Sequence, residues 1–308
     1  GITSSEGDWL FASGACDHMV TSWFSQGIVW GVSKVMRHYV ESRKARFDEW
    51  SHMAMGLRFR AGAMGVPFLP MRSMLGSDIV RQRPEARAIN CPFTGDKLLL
   101  VPALNPDVAL IHVQRCDAYG NAQIDGLQFL DVDLAMAANR VILTTERIVS
   151  NDQIRRAPDQ TKIPFFAVEA VVEVPFGCAP HECGGIYEPL FRHMDYYTSL
   201  VNNSPIKGMD EYLDRYVYSP QSWIDYLNLL GLDDLLDAAR HAAPLLLRQR
   251  LEKPALVRHP LPAKLIARAR AHKQQRQQDG QRQKQHALHQ ILKLNVGRLN
   301  RYLMPKSS

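Results

Sequence analysis

The sequence predicts an α/β fold: a parallel β-sheet carried by residues 1–239, followed by a basic extension over 240–308. Three observations lead there. Short runs rich in β-branched residues alternate with stretches of helical period. Those runs are apolar at nearly every position, which suits parallel strands covered on both faces. Charge is also divided along the chain: from Arg240 onward there are 16 Lys/Arg against 2 Asp/Glu, a net of +14, and the preceding body carries 21 against 29, a net of −8. An acidic body joined to a basic tail marks a domain boundary.

In chain order, Val32–Val40 has helical spacing through Val32, Val35, Met36 and Tyr39, and Met53–Met64 forms a second helix. Gly65-Val-Pro-Phe-Leu-Pro70 reads as a buried strand pinned between rigid residues. Asn105-Pro106 signals a turn into the strand Asp107–Val113. The polar turn Cys116–Asn121 leads to a helix over Phe129–Ala138, with Phe129, Val132 and Met136 on one side. Arg140–Thr145 returns to strand, and Phe165–Val174 is another, ended by Pro175 and Gly177. Residues 209–239 are helical and acidic and close the body. Beyond Pro244, prolines at 254, 260 and 262 interrupt helix formation. Gln274–His286 is low in complexity and solvated, and Leu288–Leu303 is a basic amphipathic helix.

A chain of 308 residues with 46% hydrophobic and 22% charged residues has the material for a packed core. No segment reaches the roughly 20 apolar residues of a membrane helix, and no basic-then-apolar leader follows Gly1, so neither membrane association nor secretion is expected. Cys16, Cys91, Cys116, Cys178 and Cys183 are odd in number and form no disulfide framework, which points to a reducing, cytoplasmic setting.

Several chemistries drop out for want of their motifs. There is no GxGxxG after a strand, no Walker A loop, no HExxH and no GxSxG. Cys178-Ala-Pro-His-Glu-Cys183 places two thiols and His181 close in sequence, but structural zinc usually takes two separated ligand pairs and the second is missing. The segment reads as a tight loop leaving a strand, at the end of a parallel sheet where ligands bind, and no metal is expected. Glu49, in Phe47-Asp-Glu-Trp-Ser-His52, is either a surface glutamate or a carboxylate packed against Trp50 and tuned for acid, base or nucleophilic work. Glu146 is read as a charged residue closing a strand. The basic tail could hold phosphates, yet Tyr302 is its only aromatic, so nucleic-acid binding is not expected.

A family resemblance joins these segments. Ala61-Gly-Ala-Met-Gly-Val-Pro-Phe-Leu-Pro70, Met74-Leu-Gly-Ser77, Asn90-Cys-Pro-Phe93, Val101–His112, Gly126–Asp133, Glu146-Arg-Ile-Val-Ser150 and Val174-Pro-Phe-Gly177 with Pro180-His181 follow one another as in family I coenzyme A transferases. Over residues 1–239 the chain resembles the α subunit of the glutaconate CoA-transferase type. That resemblance implies a Rossmann-like parallel-sheet fold. The family's glycine-rich first turn normally lies before the point where this chain begins, so the fold expected is one without its first βα unit.

The resemblance also implies a mechanism. A glutamate attacks an acyl-CoA thioester, giving an acyl-glutamyl anhydride and then a glutamyl-CoA thioester, from which CoA passes to a second carboxylic acid. In two-subunit members that glutamate belongs to the β subunit, the implied partner here. Coenzyme A is then a substrate, not a permanently bound cofactor. The matched stretches make Gly76, Ser77, Gly177 and His181 the implied substrate-binding positions. A close branch of the family hydrolyses a ring of a CoA-linked substrate in steroid degradation and relies on a glutamate of the α chain, for which Glu49 is the matching residue. A third reading is an inactive, basic-tailed binding protein.

Overall fold

The computed structural model describes residues 2–27 and 29–251. Most of the basic extension lies outside the described residues, including Gln274–His286 and Leu288–Leu303. Two compact units are present, residues 1–247 and 248–308; of the second, only the end of one helix is described.

The first unit opens with β1 (Ile2–Thr3), α1 (Ser5–Ala12), β2 (His18–Thr21), β3 (Trp23–Phe24), α2 (Lys34–Glu41), β4 (Arg46–Glu49) and α3 (His52–Ala63). Helices α2 and α3 are capped as their sequences require: Ser33 Oγ accepts the Met36 amide and Ser51 Oγ the Ala54 amide. β1 pairs with β3 and β2 with β4, each in parallel. Next come β5 (Phe68–Met71), α4 (Asp78–Arg81), β6 (Arg87–Asn90) and β7 (Lys97–Pro102), whose strands form an antiparallel sheet ordered β5-β7-β6. α3 lies over it, with Trp50, Met55, Phe59, Leu99 and Val101 in one core. A side chain at Gly62 would lie 2.8 Å from the Leu104 carbonyl and 3.0 Å from Ala137 Cβ, so glycine sets the close approach there.

The segment that positions the site follows: β8 (Val108–Val113), β9 (Arg115–Asp117), β10 (Ala122–Gln123), α5 (Asp131–Ala137), β11 (Arg140–Thr145), β12 (Ile148–Val149), α6 (Asn151–Arg155), β13 (Thr161–Ile163) and β14 (Val168–Glu173). β8, β11 and β14 run parallel with β11 in the centre. Ala109, Ile111, Val113, Val141 and Leu143 pack with Ala135 and Ile163 on one face. The opposite face departs from the expectation of cover on both sides: Leu110 is 75% exposed and Val172 47%. Continuous apolar runs conceal a strict alternation, in which only every second side chain reaches the core. The strand expected from Phe165 also starts later, because Phe165–Ala167 after Pro164 is a 3₁₀ turn.

Helices α7 (Phe191–Asn203), α8 (Pro205–Leu213), α9 (Trp223–Leu230) and α10 (Leu232–Leu251) complete the description. They enclose a core rich in Tyr197, Tyr212, Tyr216, Met194 and Leu235. α10 runs unbroken through positions 239 and 240, and its backbone continues helical past Pro244 despite the donor lost there. Among the described residues no helix is long and apolar enough to cross a membrane.

Candidate functional site

Side-chain alternation puts His112 and Thr144 on the face of the parallel sheet opposite Ile111 and Leu143. The register sets His112 beside Thr144, and Nδ1 of the imidazole lies 2.8 Å from the hydroxyl. One residue beyond β11, Glu146 donates its amide to the Val113 carbonyl, and its carboxylate meets the loop that follows β14. Glu146 Oε1 lies 2.9 Å from His112 Nε2 and accepts the Tyr187 hydroxyl at 2.6 Å and the Gly177 amide at 3.1 Å. Oε2 accepts the Phe176 amide at 2.7 Å. The Glu146 side chain is only 8% exposed.

The loop is shaped to reach this carboxylate. Phe176 takes a left-handed backbone at φ 60°, which is costly for a residue with a Cβ. A Cβ on Gly177 would stand 2.4 Å from His112 Cε1, so only glycine fits beside the ring. The Tyr187 hydroxyl accepts the Cys178 amide at 2.8 Å, and the Tyr187 backbone pairs with that of Cys183 through bonds of 3.1 Å. The Gly177–Tyr187 loop is thereby latched to the strand tips.

Charge is concentrated within it. The Cys183 thiol donates toward Cys178, which outweighs burial, and with His112 it holds the Cys178 thiol down at about 5. Burial works against the His112 imidazolium, but hydrogen bonds and charge from Cys178 and Glu146 prevail and raise it to about 9. Cys183 is pushed up by its bond to Cys178 and by burial. Tyr187 is raised by burial and by Glu146. Donor atoms of His112, Cys178 and Cys183 all lie within 4.8 Å of one another.

The positions expected from sequence divide among different places. Gly177 belongs to the cluster. His181 does not: its Nε2 lies 2.7 Å from Ser5 Oγ and 3.5 Å from Ser4 Oγ, tying the loop to α1. The two thiols grouped with His181 by sequence therefore meet His112 instead. Gly76 and Ser77 sit in the turn before α4, where Gly76 is exposed at φ 81° and Ser77 Oγ donates to the Met74 carbonyl at 2.7 Å. Glu49 is exposed at the end of β4. Its neighbour Trp50 is buried with the Arg58 guanidinium 4.2 Å from its ring centroid, so a cation faces the indole.

Sequence alone does not single out His112 or Tyr187, and it takes Glu146 for a strand terminus. The signal available was a histidine interrupting the apolar run Val108–Val113, level with a glutamate closing the parallel neighbour. Tyr187 had none, since its approach is made by the loop. Chemically, Glu146 is heavily engaged: three donors converge on Oε1 and one on Oε2, which suits an anchor that holds the loop.

The coenzyme A transferase family matches residues 4–174. The chain belongs to that family. It is 39% identical over 234 residues to an uncharacterized protein of Archaeoglobus fulgidus, covering 76% of this chain and 52% of that protein. Against the α subunit of glutaconate CoA-transferase from Acidaminococcus fermentans it is 31% identical over 249 residues, 75% of this chain and 77% of that one. The crystal structure of that transferase superposes with a TM-score of 0.73 at 29% identity, over 77% of this chain and 80% of its own. A cholesterol ring-cleaving hydrolase IpdA subunit of Rhodococcus jostii is 35% identical over 194 residues, 58% of this chain and 59% of its own length. The chain thus spans about half the length of the archaeal relative and about three-quarters of the transferase polypeptide.

Proposed function

We propose that this transferase-family chain is the α subunit of a heteromeric acyl-CoA:carboxylate CoA-transferase, working in a reducing, cytoplasmic setting. The observation that supports the reading is the engagement of Glu146: the carboxylate at the tip of the central strand takes four donors and holds a loop. In this reading the glutamate that forms the anhydride and then the CoA thioester is supplied by a partner β subunit. This chain contributes the backbone of the latched loop and part of the acyl pocket, for which Gly76, Ser77, Gly177 and His181 are the proposed substrate-binding positions. Coenzyme A enters as substrate. The basic extension from residue 248 on is a separate unit.

The test is reconstitution with the β subunit encoded beside it, followed by borohydride reduction in the presence of acyl-CoA. The reduced glutamyl adduct is expected on the partner and not on this chain. An adduct on this chain, or transfer by this chain alone, would overturn the assignment.

A ring-cleaving hydrolase is the second reading, favoured by exposed Glu49 and by the 35% identity to the IpdA subunit. Under it, Glu49→Gln abolishes hydrolysis and no reducible CoA adduct forms on either chain. Under the transferase reading the same change costs only a modest part of turnover.

A further inference from the structure

We propose that His112, Cys178 and Cys183 form a zinc site in which three protein ligands leave a fourth position open. Two thiols and an imidazole are soft-to-borderline ligands that select zinc over magnesium or calcium. Two thiolates and a neutral imidazole also balance the charge of Zn²⁺, so the ligand set itself would be neutral, with the Glu146 carboxylate held outside it by its own donors.

Geometry agrees. Tetrahedral zinc, with bonds of about 2.3 Å to sulfur and about 2.0 Å to nitrogen, places its donors about 3.5–3.8 Å apart. The three donor atoms lie within 4.8 Å of one another, so a closure of no more than about 1.3 Å completes the set. Outer support is already built. Thr144 and Glu146 flank the two ring nitrogens at 2.8 and 2.9 Å, so the nitrogen that does not bind metal keeps a partner that fixes the ring. The Tyr187 hydroxyl braces the Cys178 amide, and glycine at 177 admits the ring edge. Sequence spacing could not show this site, because its histidine comes from β8 and the histidine between the two cysteines is turned toward α1.

The test uses the full-length chain, with its partner where one co-purifies. After loading with zinc and exhaustive dialysis, mass spectrometric metal analysis is expected to find about one zinc per chain. Replacement by Co²⁺ should give near-ultraviolet thiolate charge-transfer and the strong visible bands of a tetrahedral ion. Cys178→Ser and Cys183→Ser should each weaken zinc binding by more than the roughly 10–100-fold typical of losing an outer partner. Cys91→Ser, at a cysteine outside the cluster, should bind as the parent does. If the cysteine variants fail to fold, the parent decides alone through its cobalt spectrum and through zinc protection of two thiols from alkylation. Substoichiometric zinc with no charge-transfer band, or undiminished binding by a folded Cys178→Ser/Cys183→Ser double variant, overturns the proposal.

Discussion

The strand-tip cluster and the helical layer bury ionisable groups in opposite ways. Within the layer, Asp8 of α1 is fully buried and accepts hydrogen bonds from Ser33, Gln26 and Tyr197. Burial nevertheless pushes its carboxyl up to about 6. His193 of α7, 2.9 Å from the Tyr212 hydroxyl, is pulled down by burial to about 4. Both shifts favour the neutral form, and the surrounding tyrosines are raised in the same sense. Burial also opposes charge at the strand tips, yet Cys178 moves down through its bond from Cys183 and the neighbouring His112, and His112 moves up through hydrogen bonds and charge from Cys178 and Glu146. A core sheds charge, whereas a site retains charge by pairing it, and this contrast picks out the strand tips as functional ground.

The largest expected effect tests the pairing directly. Glu146→Ala strands a buried imidazolium and three further donors, and should cost about 3–5 kcal/mol in urea unfolding. A loss below about 1 kcal/mol would mean that the cluster carries no such pairing.

The neutral region gives the next effect through pH. His193 is depressed below its unfolded value of 6.5, so its contribution is complete above 6.5 and is lost as pH falls toward 4, about 3 kcal/mol in all. Asp8 is raised above its unfolded 3.8, so its contribution grows as pH falls from 6 toward 3.8, by a similar about 3 kcal/mol. The two offset in the parent. In Asp8→Asn only the histidine loss survives, so the stability difference from parent should widen by about 3 kcal/mol between pH 6.5 and 4. Parallel pH profiles for the two proteins would break the contrast.

Smaller effects sharpen it. His181→Ala removes the bond to Ser5 and should cost about 1 kcal/mol of stability, with a larger proportional loss of turnover if the loop lines the acyl pocket. Equal losses of both would mark the residue as structural. Glu49→Gln, at an exposed position, should shift stability by no more than about 0.5 kcal/mol; thermal unfolding checks this beside the activity assays.

Much of this architecture was legible where a local pattern dominates. Arg140–Thr145 is β11 to the residue, and the helices expected over Val32–Val40, Met53–Met64 and Phe129–Ala138 appear as α2, α3 and α5 within a few positions. Caps at Ser33 and Ser51, together with apolar period, decide such elements without help from distant residues. What depends on register was not legible. Nothing local says that His112 lies level with Thr144, or that Cys178 faces β8 and not the histidine three residues on. The uncovered face of β8 was hidden for the same reason, since an apolar run does not record which of its two sides is packed. Pro244 misled in the other direction, as a helix already under way carried through it.

Because Glu146 directly follows β11, the loop's location is governed by parity. One extra residue inside Arg140–Thr145 would send the carboxylate to the opposite side and release Gly177–Tyr187 altogether. Lengthening the connection through 156–160 by the same amount would leave the latch untouched. Chain-length changes of equal size should therefore be ruinous in one place and silent in the other, a useful guide for grafting this loop onto a related scaffold.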